Sequence, residues 1–338
     1  MGEKKVAQRG LKLNDWIEKY MVIVVPLVIG AGLLFGETLY FYTYLVPYLF
    51  AYVTFAMAIG CSFEHIKDVF SKPLKLLLLF GIIHVLLPLL VYWLAGLVFG
   101  YHSPYVIGLV MFTLIPVGIS AVMWVSMTGG NVSLMLAIVI IDSLLSPIII
   151  TGGLRLLFHA TIQLDTVSML IDLLLIIVLP TVLGIALHEL TKGRIVSAVK
   201  PYSAPLSKLC FMVVVALNAA ALTPSLDELK QDLLRIIPIS IAIVLLSYLF
   251  GYLSAMRLIE RADRITLSYA SGIRNVSLGA VIALTYFSPQ TAMPILLGIL
   301  LQQPIATTIG LFLQTLNKTK LAKASRREYD GEDIQERT

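Results

Sequence analysis

The sequence predicts an all-α polytopic membrane protein of ten transmembrane helices, arranged as an inverted five-plus-five repeat. Of the 338 residues, 58% are hydrophobic and only 13% are charged, whereas charged residues make up about 25% of a soluble globular domain. Apolar runs long enough to cross a bilayer as helices, which takes about 20 residues each, follow one another along the chain. Interrupted runs also recur at matching positions of the two halves.

The apolar runs define the predicted spans and divide the chain into four parts. The spans lie at roughly 16–36, 41–63, 76–99, 104–127, 131–154, 166–188, 204–223, 236–256, 264–287 and 290–315. They predict a cytoplasmic N-terminal segment (1–15), a first repeat (16–158), a second repeat (166–315) and a polar cytoplasmic tail (316–338). The tail is polar enough to be disordered.

The basic residues predict the orientation in the membrane. If the N-terminus is cytoplasmic, the segments on that side carry 20 of the 25 lysine and arginine residues, and those on the other side carry three. The remaining two, Lys208 and Arg274, lie within spans. The positive-inside rule therefore predicts a multi-pass protein of the cell membrane with both termini in the cytoplasm.

The interruptions point to a site near the middle of the membrane. Pro116 and Gly118 interrupt span 4, and Gly272 interrupts span 9. A proline follows in the next span of each half: Pro147 comes 31 residues after Pro116, and Pro304 comes 32 residues after Gly272. Secondary transporters place interrupted helices at matching positions of inverted halves, around the site that binds the solute.

Three ionisable side chains inside the predicted spans are candidates for that site. An arginine at membrane depth costs at least about 2.5–3.5 kcal/mol, so Arg274 is expected to be paired, solvated by a cavity or functional. Asp142 in span 5 is the expected partner, although neighbouring hydroxyl groups could satisfy its carboxylate instead. His84 in span 3 either carries a transported proton or is a neutral ring that is hydrogen-bonded in the bundle.

Uncharged residues complete the candidate site. Ser271 and Asn275 are four residues apart and are predicted to share a helix face, and Ser120 follows the interruption of span 4. Asn131 follows two glycines at the start of span 5, where it either caps that helix or takes part in gating. The N-termini of two half-helices are expected to converge here, and their dipoles favour an anion.

Four stretches carry a resemblance to a known family, and their order and spacing are more specific than any one of them. They are Phe55–Asp68, Pro116-Val-Gly118 followed by Gly130-Asn131, Ser143–Pro147 and Gly272-Ile-Arg-Asn275. The chain resembles the bile acid/sodium symporter family over about residues 16–315. This resemblance implies a panel domain and a core domain, two discontinuous helices that cross in the core, and transport by alternating access.

The chain departs from the family at the positions that hold sodium. The resemblance places sodium ligands at positions that in this chain are Ala270, Arg274, Ala121, Val122, Met135, Val139 and Ile83. Sodium takes oxygen ligands, which alanine, valine, isoleucine and methionine side chains do not supply. Arg274 moreover places a fixed positive charge where the family holds a mobile one. We therefore expect no sodium coupling through these sites.

These observations predict a secondary transporter of a small organic solute, expected to be an anion, and not an enzyme. The expected partners are that solute and the lipid bilayer, with no nucleic acid, no cofactor and no metal site. Two alternatives stay open from the sequence. One is a proton-coupled carrier that uses Asp142 or His84, and the other is a channel or a non-transporting membrane sensor of the same fold.

The predicted topology is testable by labelling single cysteines placed at Ser103 and at Lys192. These positions follow spans 3 and 6, so the orientation given by the basic residues puts them on opposite sides of the membrane. A membrane-impermeant maleimide added to intact cells should label the cysteine at 103 and leave the one at 192 until the membrane is opened. Labelling of both positions from the same side would contradict the ten-span arrangement.

Overall fold

The computed structural model describes residues 23–62, 73–158, 165–225, 232–253 and 260–335, with the single positions 12, 16, 20 and 227. Within these ranges the chain is almost entirely helical, apart from short connections and one isolated bridge between two residues. This confirms an all-α protein. Most of the predicted N-terminal segment 1–15, and residues 63–68 of the family resemblance, lie outside the described residues.

The helices are numbered here in chain order. They are α1 (Ile23–Leu34), α2 (Gly36–Tyr40), α3 (Val46–Ala58), α4 (Pro73–Gly81), α5 (Leu87–Phe99), α6 (Pro104–Leu114), α7 (Ser120–Thr128), α8 (Val132–Phe158), α9 (Thr166–Leu173), α10 (Leu179–Leu190), α11 (Arg194–Ala220), α12 (Leu233–Leu253), α13 (Arg261–Gly272), α14 (Val276–Tyr286) and α15 (Pro289–Gln335). A π-helical turn, Ile82–Leu86, joins α4 to α5, and a second, Leu174–Val178, joins α9 to α10.

Several helices have the length and composition of membrane spans. In the described part of the chain, five stretches are both long enough and apolar enough to cross a membrane: Leu76–Phe99, Val132–Phe158, Val167–Leu190, Arg194–Ala220 and Leu233–Leu253. A sixth is found if the two arms of α15, which bend by 43° between Gln302 and Pro304, count as one span. A multi-pass membrane protein is therefore confirmed, whereas the ten-span inverted repeat stays a prediction.

Predicted spans 4 and 9 each consist of two half-helices, α6 with α7 and α13 with α14. The first break follows from Pro116, because the residue before a proline is pushed out of the helical region. Ile115 accordingly has an extended backbone, with φ −60° and ψ 148°. The second break has no proline, and there the helix ends at Gly272 and Ile273 is extended, with φ −104° and ψ 110°.

Polar side chains cap the helices that start at loops or breaks. The side-chain oxygens of Asn131, Asp165 and Asn275 each accept a hydrogen bond from the backbone N–H three residues later, at 3.0, 3.1 and 3.4 Å. Each thereby satisfies one of the N–H groups that a helix N-terminus leaves without a partner. Two hydrogen bonds from Ser168 lower the pKa of the exposed Asp165 carboxyl.

The helices pack in two groups. The first group consists of α3, α10 and α11, and α3 packs against the other two. In the second group, α6 packs against α5 and α15, and α12 packs against α13 and α15. Contacts between α11 and α14 join the groups, and the Tyr286 hydroxyl at the end of α14 donates a hydrogen bond to Asp172 in α9. The two breaks lie where the groups meet.

Two helix boundaries differ from the prediction. Helix α11 begins at Arg194, ten residues before the predicted span, and continues through Pro201 and Pro205. Each proline removes one helical hydrogen bond, and the packing of α11 against its neighbours keeps the helix intact. Helix α15 continues to Gln335 through the segment predicted to be disordered, which is rich in lysine, alanine, arginine and glutamate, all of which favour helices.

Candidate functional site

The breaks of the two split helices cross and pair with each other. The N–H of Gly118 donates to the carbonyl of Ile273 at 3.0 Å, and the N–H of Asn275 donates to the carbonyl of Pro116 at 2.8 Å. The two extended segments run antiparallel. A Cβ atom on Gly118 would lie only 2.9 Å from the backbone of the facing segment, so a glycine here permits the close approach.

The side chain of Arg274 is buried at this crossing and 2% exposed. Its Nη1 donates to the carbonyl of Ile115 at 3.3 Å, and its Nη2 donates to the carbonyl of Ile83 at 3.4 Å. Its backbone N–H donates to Oε1 of Gln302 at 2.9 Å. The guanidinium therefore joins the crossing to α6 and to the π-helical turn before α5.

Both carbonyls that bind Arg274 lack a helical donor. Ile115 directly follows the last residue of α6, where the carbonyl groups have no intrahelical partner and carry the negative end of the helix dipole. In the π turn, the N–H of Leu87 bonds the carbonyl five residues earlier, at Ile82. The same pattern would pair residue 88 with Ile83, but Pro88 has no N–H. A cation is well suited to both positions.

Asp142 is fully buried, but it does not bind Arg274 directly. Its Oδ1 lies 2.7 Å from Nε2 of His84, and its Oδ2 accepts a hydrogen bond from the N–H of Val117 at 2.7 Å. The predicted contact between the two charges is therefore indirect. The reason is that the break exposes the Val117 N–H, which has no helical acceptor and takes one oxygen of the carboxylate.

The prediction that Ser271 and Asn275 share one helix face does not hold. Helix α13 ends at Gly272, so the two side chains belong to different segments and the four-residue spacing does not align them. The Ser271 hydroxyl is buried and has no hydrogen-bond partner among the described residues. At Gly272 a Cβ atom would lie 2.4 Å from the ring of Tyr248, which explains a glycine at the end of this helix.

Asn131 lies away from the crossing. Its backbone N–H donates to Oγ1 of Thr266 at 2.8 Å, and its side-chain amide donates to Oδ1 of Asp263 at 2.9 Å. Both partners belong to the first half of α13, before the break. Asn131 thus caps α8 and ties it to α13, and it is not part of the crossover cluster in which the sequence placed it.

A cavity of about 920 Å³ lies beside the crossing, between the two helix groups. Its wall includes both crossing segments, α3 and α11. Among the predicted site residues, the following line it: Gly118, Ser120, Arg274 and Asn275. The others do not: His84, Pro116, Asn131, Asp142, Ser271 and Gly272.

The polar wall of this cavity on α11 was not predicted from the sequence, and it consists of Lys200, Ser203, Ser207 and Lys208. Lys200, Ser203 and Ser207 follow one another at three to four residues and so share one helix face, and Lys208 directly follows Ser207.

The positions at which the resemblance placed sodium ligands are occupied by apolar packing. The side chains of Ile83, Ala121, Met135 and Ala270 are fully buried, and Val139 is 7% exposed. All five belong to the main hydrophobic core. These side chains offer the crossing no oxygen ligand for a cation, and the guanidinium of Arg274 offers none either.

The split helices, the buried crossing and the cavity are features of a membrane transporter, and comparison with known proteins supports that class. Residues 47–225 match the sequence model of the Sodium Bile acid symporter family. The chain belongs to this family. It is 32% identical over 306 residues to "Uncharacterized protein YbaS" of Bacillus subtilis (strain 168), which covers 90% of this chain and 100% of that protein.

A second relative carries a name that mentions sodium. Over 247 residues the chain is 25% identical to "Uncharacterized sodium-dependent transporter YocS" of Bacillus subtilis (strain 168). The match covers 72% of this chain and 74% of that protein. That name describes the relative, and the residues of the present chain decide what this chain binds.

The Arg274→Ala variant is expected to be strongly destabilised. It would leave two buried carbonyl groups without donors and Asp142 without a nearby cation, a loss of about 3 kcal/mol or more. The matched control is Arg155→Ala, which removes an exposed arginine from the last turn of α8 and should change stability by about 0.5 kcal/mol or less. Thermal unfolding of the purified variants in detergent measures both. Equal midpoints for the two variants would contradict the role given to the guanidinium.

Proposed function

We propose that this protein is a secondary transporter that moves a small organic anion by alternating access, with Arg274 standing in for the sodium ion of its family. The observation that carries the proposal is the buried guanidinium at the crossing of two split helices. It binds two carbonyl oxygens that lack a helical donor. These are the kind of ligands that would otherwise attract a mobile cation.

The arrangement of the helices supports the transport part of the proposal. We assign α3, α10 and α11 to the panel and the group that contains the split helices to the core, within inverted repeats at 16–158 and 166–315. The cavity then lies between two bodies that move against each other. Lys200 in its wall belongs to the basic side of the membrane, so the cavity opens toward the cytoplasm in this conformation.

The charges around the cavity favour an anionic solute. Helices α7 and α14 begin at the crossing, and their first residues, Ser120 and Val276, line the cavity. A helix N-terminus carries a partial positive charge and free N–H groups. Lys200 and Lys208 add two positive charges to the opposite wall. Much of the remaining wall is apolar, so the solute is expected to be an organic anion rather than an inorganic one.

The proposal predicts that solute binding does not depend on sodium. Ile83, Met135 and Ala270 supply no oxygen ligand, so replacing sodium with potassium or choline at constant ionic strength should leave the thermal midpoint unchanged. Alkyl and aryl sulfonates and carboxylates of graded size provide the probes, each compared with its uncharged amide. At least one anion should raise the midpoint saturably, to the same extent in all three salts, while its amide does not.

Two outcomes would contradict this proposal. A saturable stabilisation by sodium alone would show a cation site that the apolar positions do not account for. Stabilisation by the amides as strongly as by the anions would remove the preference for negative charge. Counterflow of a radiolabelled form of the stabilising anion into proteoliposomes then separates a carrier from a channel or sensor, because only a carrier exchanges the label against unlabelled anion on the other side.

A further inference from the structure

His84 and Asp142 form a buried pair that is connected to the crossing. Nε2 of the imidazole lies 2.7 Å from one carboxylate oxygen, and the other oxygen accepts the N–H of Val117 in the extended segment. The His84 side chain is 7% exposed and that of Asp142 is fully buried. One carboxylate thus links the imidazole to the backbone of the break. A change in the protonation of the ring therefore alters the hydrogen bonding at the crossing.

The second ring nitrogen of His84 has no partner in this conformation. Nδ1 is buried and makes no hydrogen bond to any described residue. When Nε2 carries the proton toward Asp142, a neutral ring presents a bare lone pair at Nδ1. Adding a proton at Nδ1 creates a buried donor without an acceptor, which is costly. A protonated ring therefore favours an arrangement in which water or another acceptor reaches Nδ1.

The charges near the ring balance before it takes up a proton. The charged groups beside it are the Asp142 carboxylate and the Arg274 guanidinium, which binds the carbonyl of the preceding residue. Helices α6 and α12, which also pack against the π turn, contain no carboxylate and no histidine. Their titratable residues are Tyr105, Arg235, Tyr248 and Tyr252.

A proton on His84 therefore adds one net positive charge to a buried region that is otherwise neutral. An uncompensated buried charge is unfavourable, and a nearby opposite charge offsets it. The cavity beside the crossing offers space for that opposite charge, since Arg274 itself belongs to the cavity wall. Proton uptake by the ring and anion entry into the cavity should thus favour each other.

We propose that His84 is the proton-binding residue of a symport in which one proton enters with one singly charged anion. Asp142 positions the ring and transmits its protonation to the crossing. The proton binds the Nδ1 lone pair from water on one side and leaves the same atom to water on the other, and no covalent bond of the solute changes. This proposal rests on the proposed function and assigns its coupling ion.

Nitrogen-15 NMR of the full chain in nanodiscs, labelled at histidine, tests the proton site without knowledge of the solute. The His84 signals are identified by their loss in His84→Gln, and His102→Gln in the exposed connection before α6 is the matched control. Between about pH 5 and about pH 9 the His84 ring should change from one to two protonated nitrogens. Asp142→Asn should weaken proton binding at least about tenfold, because the carboxylate favours the imidazolium.

Two NMR results would overturn the inference. One is a His84 ring whose nitrogen signals stay constant over that pH range. The other is a titration that is the same in Asp142→Asn as in the unmodified protein, because the carboxylate would then have no part in it. Each result is obtained whether or not any solute has been found to exchange.

Gradient-driven accumulation separates this inference from the proposed function. With the anion that exchanges in counterflow, a pH difference of one unit should support an accumulation ratio of about tenfold for one proton per singly charged anion. His84→Gln should reach the same ratio with and without the gradient. If no anion exchanges with the unmodified protein, the proposed function fails. If His84→Gln accumulates the anion like the unmodified protein, the coupling inference fails alone.

Discussion

The structure depends on satisfying backbone groups that two broken helices expose at membrane depth. Lipid offers no hydrogen bonds, so such groups must find partners within the protein. At the first break four of these groups have a partner from a distant part of the chain. The carbonyls of Ile115 and Pro116 accept from the guanidinium and from the facing segment, and the N–H groups of Val117 and Gly118 donate to a carboxylate and to that segment. The crossing is therefore one interlocked unit.

The two buried charges complement the helix ends at which they act. The guanidinium binds the C-terminal end of α6, where the helix dipole is negative, and the Asp142 carboxylate accepts the N–H of Val117 shortly before α7 begins, where the dipole is positive. A fixed cation and a fixed anion thus stabilise these helix ends, as a bound ion and its ligands would. In the proposed function, the same arrangement allows apolar side chains at Met135 and Ala270, since a fixed cation takes the place of a bound one.

The sequence was sufficient to predict the split helices and the buried cation but not the partners of the charges. Pro116 lacks an N–H and constrains its neighbour, which makes a break predictable from local chemistry. Arg274 is conspicuous because burial in a membrane is costly. The assignment of Asp142 to Arg274 was too direct, because the exposed Val117 N–H and the His84 ring are brought to the carboxylate only by tertiary structure. The Ile83 carbonyl that binds Arg274 was missed, although it had a local signal, since Pro88 has no N–H to donate to it.

The crossing is built around a fixed cation, and chemical rescue of a missing guanidinium tests this arrangement. In Arg274→Ala, methylguanidinium can occupy the space of the missing side chain and donate to the same two carbonyls. We predict that low millimolar methylguanidinium raises the thermal midpoint of this variant saturably, whereas it leaves the unmodified protein unchanged and sodium at equal ionic strength has no such effect. Rescue by sodium, or the same response to methylguanidinium in both proteins, would contradict the account.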